Sequence, residues 1–234
     1  MAELLLPPRL EAIARQVPAG ARLTDVGTDH AYLPAALLRA GKIAGAIAAD
    51  VNEGPLQRGR ETARAYGLEA VLELRLTDGL QGIGPEETDA VVIAGMGGEL
   101  IAQILARAPW TRGVLLLLQP MTAQAALRRW LLDQGYVIQR ETLVREGEKF
   151  YQILTVRGGE ETRPYTPGEL WAGRQARGME SPHRLAFLEQ LITRRQRALE
   201  GMGRGMVPEA VKAQEKALTA SLEALREEWN TWQQ

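Results

Sequence analysis

Acidic residues and glycines stand where the predicted strands of this chain end. The stretch "DVGTDHAYLP", Asp25 to Pro34, begins like a nucleotide-binding strand-to-turn junction. Asp29 and His30, however, stand at the positions where a dinucleotide-binding loop has further glycines. A carboxylate repels a pyrophosphate and favours a cation or an amino group. The loop therefore predicts a ligand that carries positive charge and no phosphate.

Three further strand ends carry residues suited to the rest of such a ligand. Asp50 lies about twenty residues after the loop glycine, where an acid can bind both ribose hydroxyls, with a helix N-cap or strand-end turn as the alternative. Asp78 suits the exocyclic amine of an adenine, or forms a simple turn with Gly79. The bare backbone of "AGMGG" permits close approach of a target base, unless it is only a helix entry. Together these features fit S-adenosylmethionine in the arrangement of a class I methyltransferase.

Alternating strands and helices are predicted to bring these positions together. The strand candidates are "RLTDV", "AIAADV", "LELRLTD", "DAVVIAGM" and "GVLLLLQP", and the segments between them have apolar residues at helical spacing. The runs "VVIA" and "VLLLLQ" predict central strands covered on both faces. Two later strands, "YVIQRETLVREG" and "KFYQILTVRGG", are joined only by "EGEK" and predict an antiparallel hairpin. We predict an α/β fold of the class I methyltransferase (Rossmann-like) type, a doubly wound parallel sheet that finishes in an antiparallel hairpin with a reversed edge strand.

A second module is predicted after this sheet. Residues 158–167 are rich in Gly, Glu, Thr and Pro and indicate a linker, and no strand pattern follows them. Apolar residues at heptad spacing predict two helices separated by the turn "GMGRGMVP", with Arg195 at one seam position. The seam positions are Leu185, Leu188, Ile192, Leu199 and Met202, then Val211, Leu218, Leu222, Leu225, Trp229 and Trp232. We expect a catalytic domain over residues 1–159 and a C-terminal α-helical coiled-coil hairpin over residues 160–234, with a plain structural arm as the alternative.

Composition limits the chemistry. The chain has 234 residues, a formal charge of -1, no cysteine and two histidines, so disulfides, a cysteine metal site and an imidazole zinc cluster are not expected. It has no apolar run of membrane-spanning length and no signal-peptide pattern. We expect a cytoplasmic protein that uses no metal and no membrane. Five arginines against two glutamates between His183 and Arg204 make one segment locally positive.

The motifs, taken as a set, resemble the bacterial TrmK family. They are "DVGTDHAYLP", "ADVNEGPL", "LTDGL", "VIAGMGGELI", "LLQPM" and "LRRWLLDQGY", followed by "REGEKFYQI". The resemblance extends from about Pro8 to Val156, and the helical arm matches the family's domain plan. It implies an S-adenosylmethionine-dependent tRNA (adenine-N1)-methyltransferase that acts on position 22 in the D-loop region, and we expect a monomer. The cofactor contacts then expected are Gly27, Asp29, Tyr32, Asp50, Val51, Asn52, Asp78, Gly79, Gly95, Met96 and Gly97.

Catalysis and tRNA binding need further residues. Attack by adenine N1 on the methyl group puts positive charge on the base, and Asp29 is the first candidate to stabilise or relieve it, with His30 second. His30 could instead only hydrogen-bond the loop, and Tyr32 is either a stacking wall for the base or a core aromatic. No Asp/Asn-Pro-Pro-aromatic motif is present, which leans away from exocyclic-amine chemistry. Candidate phosphate contacts are Arg128, Arg129, Arg184, Arg194, Arg195 and Arg197, with solvated helix faces as the alternative.

Two other functions are compatible with parts of the sequence. A nicotinamide-dependent oxidoreductase would share the fold and the ribose acid, but it needs a pyrophosphate loop, which Asp29 argues against. A non-catalytic tRNA-binding or scaffold protein built on a methyltransferase fold would keep the helical arm and lose cofactor binding.

Overall fold

The computed structural model describes residues 4–175, 181–203 and 206–232. It divides into two compact units, Met1–Glu161 and Thr162–Gln234. The domain boundary predicted from the sequence lies two residues before this division. No helix within the described ranges is long and apolar enough to cross a membrane.

The first unit is built on a seven-stranded sheet of order β3-β2-β1-β4-β5-β7-β6. The strands are β1 Arg22–Val26, β2 Gly45–Asp50, β3 Leu72–Leu76, β4 Ala90–Gly97, β5 Leu115–Thr122, β6 Tyr136–Glu146 and β7 Lys149–Gly158. Strands β1 to β5 pair in parallel, and β7 runs antiparallel to both β5 and β6. The predicted doubly wound sheet and its terminal hairpin are confirmed.

The predicted position of the reversed strand is wrong. The reversed strand, β7, lies between β5 and β6 and is not at the edge. Its residues Ile153, Leu154 and Val156 are all fully buried, so successive side chains on both faces need cover. The more polar β6 takes the edge, where an exposed face costs less.

Helices cover the sheet and connect its strands. They are α1 Pro8–Gln16, α2 Tyr32–Arg39, α3 Glu53–Tyr66, α4 Gly98–Ala106 and α5 Gln124–Asp133, with a short 3-10 helix at Pro109–Gly113. The core is densest at β4 and β5, where residues 90–93 and 116–118 are completely shielded from solvent. This burial confirms that the two continuous apolar runs are central strands.

The second unit contains α6 Pro167–Ala172, α7 Arg184–Gly203 and α8 Glu209–Trp232. Helices α7 and α8 pack on each other through buried seam residues such as Leu188, Ile192 and Leu222, as the heptad spacing predicts. The burial of the seam is uneven. Val211 is exposed, and five other predicted seam residues are only half-buried: Leu185, Leu199, Met202, Leu225 and Trp232. The predicted turn begins inside α7, and its residues 204–205 lie outside the described ranges.

Helix α6 was not predicted from the sequence. Its N-cap is Thr166, whose hydroxyl accepts from the Glu169 amide while the Glu169 carboxylate accepts from the Thr166 amide. This reciprocal capping box has a readable signature, threonine followed three residues later by glutamate, within a stretch that otherwise indicates a linker.

Candidate active site

The carboxyl ends of β1 to β4 lie side by side, because the parallel strands share one register. Val26 at the end of β1 is paired with Ala49 in β2 and with Ile93 in β4, and Ala49 is paired with Arg75 in β3. The residues that follow these positions therefore emerge along one edge of the sheet. In an open α/β sheet, this edge is where ligands bind.

The first loop turns sharply after β1. Gly27 has a φ of 75°, and the amides of Gly27 and Thr28 both donate to the Ala49 carbonyl, at 2.8 and 3.1 Å. A Cβ added at Gly27 would overlap Cε of Met96, so this glycine gives both the left-handed turn and room for a neighbouring strand end. His30 and Ala31 also have left-handed backbone, with φ of 60° and 53°.

Asp29 is the most exposed charged group of that loop, with 69% of its side chain accessible. Its Oδ1 accepts hydrogen bonds from Nη2 and Nε of Arg58 in α3, at 2.6 and 3.2 Å. Nε2 of His30 lies 3.7 Å from the same oxygen. The His30 ring stacks on Tyr32 with centroids 4.9 Å apart and planes 12° apart, and Tyr32 is itself exposed. The loop thus presents a carboxylate beside a flat aromatic surface.

Asp50 ends β2 and is held by its own turn. The Asn52 amide donates to Asp50 Oδ1 at 2.7 Å, and the Asp50 carbonyl accepts from the Thr77 amide at 2.9 Å. Val51 between them is 62% exposed, which is unusual for an apolar side chain at a strand end. An oriented carboxylate next to an exposed apolar side chain suits a ribose that carries a purine.

Asp78 follows β3 and is paired with a cation that sequence reasoning missed. Arg107 at the end of α4 donates to Asp78 through Nη1 at 2.6 Å and Nη2 at 3.2 Å. The hydrogen bond from Arg107 lowers the pKa of Asp78, so the carboxylate stays ionised and keeps its acceptor capacity at neutral pH. Gly79 has a φ of 64°, and a Cβ there would lie 3.0 Å from Ile104.

Strand β4 ends in an irregularity that interrupts its regular pairing with β5. The pairing with β5 shifts around Gly95, whose φ is 80°, and the Gly95 amide donates to the buried Oε1 of Gln119 at 3.2 Å. Gly98 starts α4, and a Cβ there would lie 2.7 Å from the Ala123 carbonyl oxygen. Packing against the Ala123 carbonyl therefore requires a glycine at position 98.

Asp25 is a buried acid that sequence reasoning did not select. It lies inside β1, and burial raises its pKa to about 6, while the nearby Thr28 hydroxyl lowers it by less. The Thr28 hydroxyl is itself buried and has no hydrogen bond of ordinary geometry among the described residues. A charged residue inside the apolar run "RLTDV" was the available signal.

Two of the arginines predicted to contact tRNA are buried. Arg128 in α5 has no exposed side-chain surface and donates to Glu141 Oε2 through Nε at 3.0 Å and Nη2 at 2.5 Å. Arg184 at the start of α7 is only 3% exposed and donates to the carbonyls of Ala172 and Gly173. Both guanidinium groups serve the protein interior, so neither prediction of a phosphate contact holds.

The remaining predicted arginines differ in their surroundings. Arg195 is half-buried, 3.4 Å from Glu215 of α8, and its guanidinium lies 4.6 Å from the centre of the Trp171 ring. Arg129, Arg194 and Arg197 are exposed. Among the six arginines predicted to contact tRNA, these three expose the guanidinium to solvent, and phosphate binding would not require them to break an internal contact.

The fold and the site together define the class of protein. A sheet of order 3-2-1-4-5-7-6 with β7 reversed, and with acids at the carboxyl ends of β1, β2 and β3, is the architecture of a Rossmann-like methyltransferase. In agreement, residues 6–154 match the family model described as a methyltransferase domain.

Relatives identify the family within this class. The tRNA (adenine(22)-N(1))-methyltransferase of Bacillus subtilis strain 168 is 37% identical over 175 residues, 74% of each chain. The chain belongs to this family of tRNA (adenine(22)-N1)-methyltransferases, and the resemblance seen in the sequence motifs is confirmed. The crystal structure of the B. subtilis m1A22 tRNA methyltransferase TrmK superposes with a TM-score of 0.84 at 31% identity, covering 96% of this chain and 99% of that one. A Streptococcus pneumoniae relative solved in complex with S-adenosyl-L-methionine gives a TM-score of 0.81 at 33% identity, covering 93% and 99%.

The residues at the sheet edge fit S-adenosylmethionine. Asp29, Asp50 and Asp78 offer carboxylates at three successive strand ends, and Thr28 offers a buried hydroxyl that makes no hydrogen bond of ordinary geometry among the described residues. Family membership favours the methyltransferase over a nicotinamide-dependent oxidoreductase. Within the described ranges, no group of three or more His, Asp or Glu side chains is arranged to hold a metal ion.

Proposed function

We propose that this protein transfers the methyl group of S-adenosylmethionine to N1 of the adenine at position 22 of tRNA. The observation that supports this proposal most strongly is the row of groups along one edge of the sheet. The acids at the ends of β1, β2 and β3 lie in line with the glycine-rich end of β4. That row follows the cofactor's chemistry from its adenine through its ribose to its amino acid. The family to which the chain belongs supports the same reaction.

The nucleoside half of the cofactor is assigned to β2 and β3. Asp50, oriented by the Asn52 amide, binds the ribose hydroxyls, and the exposed Val51 packs against the purine. Asp78 accepts from the exocyclic amine of the adenine, since an ionised carboxylate has acceptor capacity beyond its bonds to Arg107, and Gly79 supplies the turn that places it.

The amino-acid half and the transfer position are assigned to β1 and β4. Gly27 and Asp29 lie along the methionine, and Tyr32 closes that side. Gly95, Met96 and Gly97 line the place of transfer, where the pairing of β4 with β5 shifts and a Cβ added at Gly95 would meet no atom within 4 Å. When bound, S-adenosylmethionine supplies an electrophilic methyl group on a positively charged sulfur that leaves as a neutral thioether.

The chain's task in the chemical step is to place and stabilise the target base. Adenine N1 already has a lone pair, so no base is needed to create the nucleophile, but its pairing edge must be exposed by flipping. The stacked pair His30 and Tyr32 offers a flat surface for the flipped base. Attack of N1 on the methyl carbon leaves positive charge on the adenine, and the Asp29 carboxylate stabilises that charge, with His30 as the second candidate.

Contacts to tRNA are assigned to the exposed cations. Arg129 in the first unit and Arg194 and Arg197 in the second can bind phosphates directly. Arg195 can contribute only if its pairing with Glu215 is given up. We further propose that the chain acts as a monomer in the cytoplasm on the D-loop region of tRNA, without a metal ion.

Methyl transfer to a defined tRNA tests the proposal. Purified protein is incubated with labelled S-adenosylmethionine and an unmodified tRNA transcript, and the product is digested to nucleosides. We expect label in 1-methyladenosine alone, and none when adenine 22 is replaced by guanine. Asp29→Asn, which keeps the size of the side chain and removes its charge, should reduce the rate at saturating S-adenosylmethionine at least a hundredfold, as expected for the loss of one electrostatic group in the transition state. Label in another nucleoside, or in the substituted tRNA, would overturn the assignment.

A further inference from the structure

A cation contacts the first loop from a different element. Arg58 lies in α3, 29 residues after Asp29, and two of its nitrogens donate to the same oxygen, Asp29 Oδ1, at 2.6 and 3.2 Å. Both side chains are open to solvent, 42% for Arg58 and 69% for Asp29. An exposed ion pair of this kind contributes little to stability, so stability alone does not explain it.

The donors used by this contact leave others available. Nε and one N–H of Nη2 are engaged with Asp29, whereas Nη1 makes no hydrogen bond within the part of the chain that the structure describes. Asp29 likewise uses only Oδ1 in these bonds, which leaves Oδ2 for another donor. The pair therefore presents a positive donor and a negative acceptor side by side.

The amino-acid end of S-adenosylmethionine has the complementary pattern. At neutral pH it carries an ammonium and a carboxylate on the same carbon, so it needs an anion and a cation placed close together. Asp29 supplies the anion. Of the two cationic side chains that contact Asp29, Arg58 is charged at every physiological pH, whereas His30 is charged only when it is protonated.

We propose that Arg58 and Asp29 form a receptor for the zwitterionic end of the cofactor, in which Arg58 binds the α-carboxylate and Asp29 the α-ammonium. This inference rests on the proposed function and adds a cofactor-binding residue to it. The four charges then alternate in sign, so each carboxylate lies between two cations. Guanidinium N–H groups match the spacing of carboxylate oxygens, which makes arginine the suitable partner.

Calorimetric titration with two ligands tests the receptor. S-adenosylmethionine carries the amino-acid end, and 5′-methylthioadenosine keeps the adenine, ribose and sulfur but lacks it. Arg58→Gln should weaken binding of S-adenosylmethionine about tenfold, which is the size expected for one charge-assisted bond in a solvent-exposed site. Binding of 5′-methylthioadenosine should stay unchanged, and Arg58→Lys should recover part of the loss.

The matched control is Arg60→Gln. Arg60 lies two residues further along α3 and pairs with Glu53 instead of with Asp29, so its loss should change neither affinity. Equal weakening of both ligands by Arg58→Gln would overturn the inference and make Arg58 a support of the loop. Unchanged S-adenosylmethionine binding with weaker tRNA binding would overturn it in favour of a phosphate contact. If the wild-type protein binds neither ligand, the proposed function itself fails, which is a separate result.

Discussion

Arg128 and Glu141 form a buried ion pair whose disruption should destabilise the protein. The pair joins α5 to β6 within the first unit, and the two side chains are 0% and 5% exposed. Replacing Arg128 with methionine keeps most of the side-chain volume, so the main effect is to leave the Glu141 carboxylate buried without its cation. Removal of one partner from such a pair costs about 3–5 kcal/mol.

The consequence for thermal unfolding follows from the size of the chain. For a protein of this length, about 4 kcal/mol corresponds to a fall in Tm of roughly 10 °C. The double variant Arg128→Met with Glu141→Leu removes both charges and should recover most of that loss, because a well-packed apolar pair can replace a buried ion pair. Urea unfolding of the wild type, both single variants and the double variant gives the coupling energy directly.

The neighbouring Arg129→Met variant is the matched control. Arg129 is exposed, so its replacement should change the unfolding free energy by less than about 0.5 kcal/mol. Two results together would refute the reasoning: an Arg128→Met protein that unfolds within about 1 kcal/mol of the wild type, and a tenfold loss of its affinity for tRNA. They would restore Arg128 as the surface phosphate contact that its residue type predicts.

Two further predictions concern pH and RNA binding. Folded Asp25 keeps its proton up to about pH 6, whereas an ordinary aspartate loses it near 3.8, so the folded state binds the extra proton between these values and stability falls as pH rises through that window. The stability of Asp25→Asn relative to the wild type should therefore rise by about 2 kcal/mol from pH 4 to pH 7 in urea unfolding, and a difference that does not change with pH would contradict this. Charge reversal at Arg194 and Arg197 should weaken tRNA binding and lower the salt slope by roughly one per removed contact. Filter binding at several salt concentrations measures this. The control is charge reversal at Arg226, which lies in α8 and pairs with its neighbour Glu227, and unchanged affinity of the Arg194 and Arg197 variants would leave the arm structural.

The local features of the fold could be predicted from the sequence. The five parallel strands and the hairpin appear as short apolar runs that end at Gly, Asp or Pro, because burial and turn chemistry act on neighbouring residues. The position of β7 between β5 and β6 could not be predicted in this way. Strand order depends on which strands have both faces covered by the rest of the unit. Ile153 and Leu154 of β7 point to opposite faces and are both fully buried.

The positions of the three acids at the sheet edge could be predicted from the sequence, but the arginines that bind two of them could not. Asp29, Asp50 and Asp78 follow strands, so their shared edge could be inferred from the alternation of strands and helices. Arg58 and Arg107 each lie 29 residues from the acid they bind, and nothing in the spacing of a helix marks such a contact. Arginine is also mostly a surface residue, so the burial of Arg128 and Arg184 runs against the residue type itself.

The backbone of the first loop has a consequence for the cofactor recognition that we propose for it. His30 and Ala31 both adopt positive φ without being glycine, a conformation that costs about 1 kcal/mol or more at each position. The loop keeps it because Ala31 is fully buried and its carbonyl accepts the Ala35 amide at 3.0 Å as α2 begins. The ordering entropy of this recognition surface is therefore lost when the chain folds and not when the ligand arrives. Affinity then depends on how well the ligand fits a surface that is already ordered. The strained backbone lowers the folding stability of the loop, and in return ligand binding carries no entropy cost of ordering it.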